Sequence, residues 1–534
     1  MPPASQNLLA DAAGDQNEVI AFLADPKSHG GARVDRLETH GNLVFLVGND
    51  AFKIKRAVRF DYMDFSTLDK RRFACRREVE VNRRWAPDLY LGCVPITRGG
   101  DGNLSFNGTG DIVEWAVHMR RFDQQDLLSA RAARQEIDPQ LATELAYAVH
   151  ASHQTAERLP CATAIATYSS LAASICEAMT AAGVFDEGEL GRLSTGLERQ
   201  LHRAASIVDE RAAVGFVRRC HGDLHLANIV LSAGRPTLYD AIEFDEQLAS
   251  IDTLYDLAFL LMDLDFHGLR PAANVVLNRY LWRSGEERDL RGLTALPLFL
   301  ALRAAIRARV TIDRAAQEQG PARNCDLDRA RRYLRAALNY VDPPPPQLLV
   351  VGGLSGTGKS TLATALAPGL GAAPGAVHLR SDLERKALAG VAEFERLPAT
   401  AYTAEARRKV YASLHAKARS ILSAQHGVII DAVYDHERDR QEVEALAQAL
   451  HVPLRGLWLE ADAATLLARV ARRQHDASDA TPDVVAAQLA SHIGQLSDRW
   501  TTLDARQDAT QLLQAAMSVV GLRGAEVIRH APSA

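Results

Sequence analysis

Leu348-Leu349-Val350-Val351-Gly352-Gly353-Leu354-Ser355-Gly356-Thr357-Gly358-Lys359-Ser360-Thr361 carries an unbroken apolar run into a glycine-rich turn closed by Lys-Ser-Thr. Four apolar residues without polar alternation predict a strand buried on both faces, and Lys359 opens a helix. Glycines at that junction let the backbone wrap round a triphosphate, with N–H groups aimed inward and the positive end of the helix behind them. Gly353, Ser355, Gly356, Thr357, Gly358, Lys359, Ser360 and Thr361 are therefore the expected nucleotide contacts. Lys359 would reach the β- and γ-phosphates of ATP or GTP, and the Ser360 hydroxyl would sit on Mg²⁺.

Downstream the same texture repeats. Gly427-Val428-Ile429-Ile430-Asp431 and residues 454–459 read as further buried strands separated by helices, which implies a parallel α/β sheet. Asp431 closes its apolar run at the C-terminal edge of that sheet, where a second carboxylate would order Mg²⁺. In Arg380-Ser381-Asp382-Leu383-Glu384-Arg385-Lys386, Asp382 is placed to orient or deprotonate an acceptor hydroxyl and Arg385 to hold substrate or phosphate. Ser381-Asp382 also has the form of a helix cap. Arg469, Arg472 and Arg473 fall on consecutive turns of a helix entering the polar segment 474–481. Arg469 and Arg473 would close over the phosphates as a lid, or the three would form a solvated basic face. Residues 347–525 resemble the small P-loop kinases that phosphorylate hydroxyls: gluconate kinase, chloramphenicol phosphotransferase, polynucleotide kinase and the zeta toxins. The resemblance is carried by the loop and by Asp382 and Arg385, and is silent on the substrate.

Upstream, Asp342-Pro343-Pro344-Pro345-Pro346 breaks the chain. Consecutive prolines neither continue a helix nor donate to a sheet, so they predict a stiff linker. Ahead of it the pattern begins β-rich. Residues 43–47 and 51–55 flank Gly48-Asn49-Asp50 as a hairpin, residues 70–85 read as a helix stopped by Pro87, and residues 112–119 as a further strand. From about residue 125 to 341 the period is helical, with Leu141, Leu145, Ala148 and Val149 on one face.

A second dense cluster is His221-Gly222-Asp223-Leu224-His225-Leu226-Ala227-Asn228, followed by the strand 229–231, a Gly-containing turn and a strand over 237–244. An Asp with an Asn five residues later, on a loop before a hairpin, suits phosphotransfer: the Asp accepts a hydroxyl proton and the Asn holds Mg²⁺. Tyr239-Asp240-Ala241-Ile242-Glu243-Phe244-Asp245 offers the further acidic ligand.

Residues 30–340 resemble the aminoglycoside phosphotransferase family, which shares the protein-kinase-like fold. The resemblance implies Asp223 as catalytic base and Asn228 as a metal ligand. It implies Lys53 as the phosphate-binding lysine, with Lys55 facing the same way, Glu78 as that lysine's helix partner, and residues 114–119 as a hinge whose backbone meets adenine. Asp252 to Asp256, with Leu257-Ala258, resembles the start of the family's downstream helix. The family's metal-binding Asp usually sits in Ile-Asp-Phe or Ile-Asp-Trp; here Ile242-Glu243-Phe244 carries Glu, so Glu243 and Asp240 both stand as the second ligand. The small lobe also lacks a G-x-G-x-x-G loop. Gly222 replaces the arginine that would read a phosphorylated activation loop, which favours a small-molecule acceptor over a protein.

Composition sets the frame for both clusters. The chain has 534 residues, too many for one core, with 47% apolar and 24% charged residues, ordinary for a globular protein. A net charge of −5 argues against bulk attraction to nucleic acid or anionic membrane. The cysteines at 75, 93, 161, 176, 220 and 325 form no C-x-x-C pair and suggest reduced thiols in a cytoplasm. The N-terminus has no secretory pattern, and no apolar window approaches a bilayer span.

The expected layout is an N-terminal extension over 1–30, an α+β bilobal kinase-like domain over 31–342 (small lobe to about 125), a proline linker at 343–346, an α/β P-loop domain with a parallel sheet over 347–525, and a tail over 526–534. The expected protein is a cytoplasmic phosphotransferase using ATP and Mg²⁺, moving the γ-phosphate to a hydroxyl of a small molecule, bifunctional if both sites work. Two further readings are a regulatory nucleotide-binding protein with one inactive half, supported by Glu243, and a nucleic-acid or nucleotide-sugar kinase, which requires a basic groove near Asp382.

Overall fold

The computed structural model describes residues 9–39, 41–60, 63–159, 164–472, 476–491 and 493–522. The chain forms two compact units, residues 1–161 with 215–260 and residues 162–214 with 261–534.

The first unit is built on a six-stranded antiparallel sheet in the order Val34–Glu38, Asn42–Val47, Asp50–Lys55, Asp111–Arg120, Tyr90–Arg98, Leu104–Phe106. The expected hairpin is present: Phe45 faces Phe52, Leu43 faces Ile54, and Gly48 takes a left-handed backbone (φ 54°) at the turn. Side chains alternate between the two faces. Ala51, Lys53 and Lys55 point to the face covered by the helix Leu68–Asn82, whose Ala74, Cys75, Glu78 and Val79 are buried. Phe45, Ile54 and Ala116 point to the other face, against Val19 and Leu23 of a helix at Leu9–Ala24. Part of the region expected as an extension thus belongs to the small lobe. Gln16 of that helix donates to the Lys55 carbonyl and to Glu114 Oε2, 2.8 Å in each case.

Residues 114–119 do not form a hinge. Their strand, Asp111–Arg120, runs through the middle of the sheet, where Val117 pairs with Lys53 on one side and with Cys93 on the other. A backbone bonded on both sides has no donor or acceptor left for a base; the chain leaves the sheet at residues 121–123.

Beyond it, Asp138 caps the helix Pro139–Thr155 at Leu141 N (2.7 Å), and Leu141, Leu145 and Val149 are buried at helical spacing. A short hairpin pairs Ile229–Ser232 with Arg235–Leu238. The strand expected over 237–244 ends at Leu238, because Asp240 takes a left-handed backbone (φ 60°) that no ladder accommodates.

The second unit contains long helices, among them Glu187–Ala213, Arg270–Ser284, Leu296–Ala315 and Gly320–Val341, and a five-stranded sheet. The sheet is parallel throughout, in the order Val377–Arg380, Val428–Asp431, Leu348–Gly353, Leu454–Glu460, Trp500–Asp504. The central strand is wholly buried, as its unbroken apolar run requires. The first strand is an edge, and side chains of the helix Arg270–Ser284 cover it. Asn278 accepts from His378 N (2.7 Å), Asn274 and Asn278 donate to the Ala376 carbonyl (3.0 and 3.2 Å), and Arg279 pairs with Glu393 (2.9 Å). These bonds occupy the edge groups that would otherwise invite another strand. Among the described residues no helix is long and apolar enough to cross a membrane.

Candidate functional sites

In the first unit the loop at residues 220–228 is fixed from below by Asp256, whose carboxylate accepts from Gly222 N (2.9 Å) and His221 N (3.2 Å). Gly222 needs its glycine: φ is 83°, and a Cβ there would lie 3.0 Å from Ile242 Cδ1. His221 reaches the Tyr239 carbonyl (2.9 Å) beneath the Trp85 ring, and burial holds its imidazole below the usual value, so it serves as a neutral strut. Asp256 also meets His153 Nε2 at 3.1 Å, with Cys220 nearby. Those carboxylate oxygens are already engaged by N–H donors, which marks a structural junction.

The loop delivers Asp223 and Asn228 together. Asn228 Nδ2 donates to the Asp223 carbonyl and to its Oδ2, 2.9 Å each, and His225 Nε2 lies 3.3 Å from the same carboxylate. Across the unit, Glu78 accepts from both candidate lysines, Lys53 at 3.0 Å and Lys55 at 2.6 Å. Their second partners differ. Lys53 reaches Asp240 Oδ1 at 2.5 Å, and Lys55 contacts Glu243.

The surroundings differ as well. Asp240 opens to solvent on one side (37% exposed), whereas Lys55 and Glu243 are buried. Burial works to raise the Asp240 carboxyl, but the Lys53 ammonium holds it below the usual range, and the charge of Asp223 is felt there too. Burial pushes Glu243 up despite Lys55. Lys53 is desolvated, yet Asp240 and Glu78 keep it firmly protonated. The left-handed turn at Asp240 is held by its own N–H donating to Tyr90 Oη (3.0 Å) and by Ala241 N donating to Asn82 Oδ1 (2.9 Å). Tyr90 and Asn82 are supports that sequence reasoning missed; no local pattern distinguishes them from other buried polar residues.

In the second unit, Gly353 (φ 133°), Gly356 (φ 89°) and Gly358 (φ 89°) all take the positive φ that the curled loop needs, and Gly358 caps the helix Lys359–Leu366. A Cβ on Gly356 would lie 2.9 Å from the Leu466 carbonyl. The Ser360 hydroxyl contacts Asp431 Oδ2, so the residues read separately as Mg²⁺ ligands are brought together. Asp431 is buried, which opposes ionisation, but His378, Lys359 and Arg380 bring its carboxyl down to about 2. A hydroxyl and an ionised carboxylate are the hard oxygen donors Mg²⁺ takes. Lys359 Nζ and Thr357 Oγ1 both donate to the Leu354 carbonyl (3.0 and 2.9 Å), and Ser355 N to Gln488 Oε1 (2.9 Å). Thr361 is exposed. Beside the loop opens a cavity of about 550 Å³, lined by Leu354, Thr357, Trp458, Asp462, Asp504 and Arg506 among others.

The remaining candidates sit at differing depths. Asp382 is half-buried at the start of the helix Ser381–Ala389, and its charge acts on Tyr402. Arg385 lies over the Tyr402 ring (4.8 Å) and donates to the Ala401 carbonyl (2.6 Å), while its buried Nε has no hydrogen-bond partner among the described residues. Arg469 donates to the Ala505 carbonyl at 2.9 Å and approaches the Gly356 carbonyl at 3.5 Å, so it braces the loop from outside. Arg472 is exposed, and Arg473 lies outside the described residues.

Together the folds and their clusters define a kinase-like fold followed by a P-loop α/β domain with a parallel sheet. The chain belongs to the same family as the uncharacterized protein Rv2004c of Mycobacterium tuberculosis, 30% identical over 466 residues, which make up 86% of this chain and 90% of that protein. A family model described as an AAA domain matches residues 348–493. Similar solved structures include a sugar kinase from Janibacter, 24% identical over 35% of this chain and 100% of its own, with a TM-score of 0.27. Another is aminoglycoside 2'-phosphotransferase-IIIa, 16% identical over 60% of this chain and 99% of its own, with a TM-score of 0.38.

Proposed function

We propose that the protein is a cytoplasmic, ATP- and Mg²⁺-dependent phosphotransferase with two sites, each moving a γ-phosphate to a hydroxyl of a small molecule, within domains over 31–342 and 347–525. The observation that carries the reading is the Asp223–Asn228 pair, accompanied in the same unit by Lys53 held between Glu78 and Asp240. These are the parts phosphoryl transfer needs: a base, oxygen ligands for a metal, and a fixed cation for phosphate.

In the first site Asp223 accepts the acceptor's proton, Asn228 and Asp240 offer metal ligands, and Lys53, oriented by Glu78, binds phosphate oxygens. Asp240 is preferred to Glu243 because Glu243 is neutralised and enclosed by Lys55. With Asp240 as the ligand, Glu243 lends less support to an inactive half. In the second site Ser360 and Asp431 hold the metal, Lys359 and the loop amides hold phosphate, Asp382 orients the acceptor hydroxyl and Arg385 steadies the acceptor. Mg²⁺ held by these residues would supply charge neutralisation for the phosphoryl group in transfer. The residues' own contribution is position and electrostatics, with no covalent step.

A nucleic-acid acceptor is disfavoured by the charges around Asp382. Arg380 is spent on Asp476 (3.3 Å), Lys386 on Asp479 (3.2 Å), Lys417 on Glu384 (2.6 Å) and Arg407 on Asp435 (2.6 Å) and Asp439 (2.5 Å).

The test is transfer of label from γ-labelled ATP into a fractionated small-molecule extract, comparing the intact protein with Asp223→Ala and Lys359→Ala. Distinct labelled products, each lost in one variant, are expected. ATP binding with no labelled product in any fraction would overturn the reading.

A further inference from the structure

The first unit holds two thiols that the phosphotransfer clusters do not use. Cys75 is fully buried on the helix Leu68–Asn82, three residues before Glu78; Cys93 is half-buried on the strand Tyr90–Arg98. Cys93 pairs with Val117 and Pro95 with Trp115, so Cys93 lies on the sheet face that the helix covers. Both cysteines pack in one apolar cluster with Trp115 and Val117, and Cys75 Sγ is 3.6 Å from the Trp115 carbonyl. Each thiol is the largest single influence on the other's ionisation, as neighbours in that cluster are.

The neighbourhood makes them unequal. Arg72 and Arg76 each place a guanidinium 5.2 Å from the Trp115 ring centroid, bringing two cations to the Cys93 side. The Cys75 thiol, helped by those charges, draws the Cys93 thiol below its usual value, although burial opposes this. The Cys93 thiol, together with burial, pushes Cys75 well up. Cys93 is therefore the reachable and more acidic thiol, and Cys75 the less acidic one, out of reach of solvent. An accessible, more acidic thiol packed with a second thiol is the arrangement of a reacting and a resolving cysteine.

We propose that Cys75 and Cys93 are a reversible oxidation site for hydroperoxides, closing to a disulfide. The Cys93 thiolate attacks one peroxide oxygen, the O–O bond breaks, and Cys93 becomes a sulfenic acid with release of hydroxide, or of an alkoxide from an organic hydroperoxide. Cys75 then attacks the Cys93 sulfur; the S–O bond breaks, and water leaves with the Cys75 proton. With hydrogen peroxide, two thiols and one peroxide yield one disulfide and two waters, a two-electron oxidation of the pair. A low-molecular-weight thiol reverses it. The bridge fastens to the sheet the helix whose Glu78 holds both lysines.

The test treats the full-length protein with a small excess of hydrogen peroxide, alkylates the remaining thiols and maps peptides by mass without reduction. A Cys75–Cys93 linked peptide pair is expected, cleaved by dithiothreitol and formed at least about ten-fold faster than Cys176 is oxidised, since burial raises that thiol. Cys93→Ser should leave Cys75 reduced. Cys75→Ala should stop Cys93 at a sulfenic acid trapped by dimedone; should that variant fail to fold, the half-buried Cys93→Ser carries the same discrimination. Oxidation of the exposed Cys325 with Cys93 still reduced and no linked peptide would overturn the proposal.

Discussion

Asn228 Nδ2 donates twice to Asp223, once to its carbonyl and once to its carboxylate, at 2.9 Å each. One amide thereby fixes both the backbone turn and the direction of the acid.

Asp223→Asn should keep the fold, because the Asp223 side chain is 41% exposed. Transfer at the first site should fall by about 10²–10⁴, the usual worth of a positioned base. Label transfer into the product assigned to that site checks it, with the second product unchanged.

The two lysines should separate stability from activity. Lys55→Met leaves Glu78 and Glu243 as buried acids without that cation and should cost about 3–5 kcal/mol in chemical denaturation. Lys53→Met should cost less, since Glu78 keeps Lys55 and Asp240 reaches solvent, yet it should cut transfer by about 10² or more. Equal stability losses in the two variants would contradict the assignment.

Asp431 has a carboxyl pKa lowered from 3.8 to about 2 on folding. A depressed folded value stabilises above the unfolded pKa, and that contribution is lost as pH falls through the folded one. Acidification from about pH 4 to pH 2 should therefore remove about 2 kcal/mol attributable to this group. Asp431→Asn should flatten that limb of the stability curve relative to the unsubstituted protein.

Gly222→Ala forces a φ of 83° on a residue with a Cβ and sets that carbon 3.0 Å from Ile242 Cδ1. A destabilisation of about 1–3 kcal/mol is expected, with the Asp223 loop displaced and first-site transfer lost disproportionately. Denaturation and label transfer on the same preparation check both parts.

Much of this architecture is legible in contiguous sequence. The loop Gly353 to Ser360, the small-lobe hairpin and the Asp223–Asn228 spacing each lie within a few residues, where periodicity and backbone sterics act directly. The errors arose where local pattern met long-range competition. Residues 114–119 read as a strand and are one, but only their pairing with two neighbours shows that their backbone cannot serve a base. Residues 237–244 alternate like a strand, and the left-handed turn at Asp240 breaks it because Tyr90 and Asn82 accept the freed amides. Residues 1–30 carry too short a pattern to reveal that Gln16 would bond to Lys55 and Glu114.

The sequence by itself determined where the two motif clusters lie, which residue types they contain and which fold classes carry them. Tertiary structure alone decided between equivalent candidates. Lys53 and Lys55 share a face because strand side chains repeat every second residue, so no local reading can rank them. Their ranking comes from Asp240 and Glu243, 187 and 188 residues away in the chain, one at an opening and one enclosed. Which carboxylate a lysine meets is set by packing between distant segments, and desolvation then decides which pair stays open to a ligand and which becomes core.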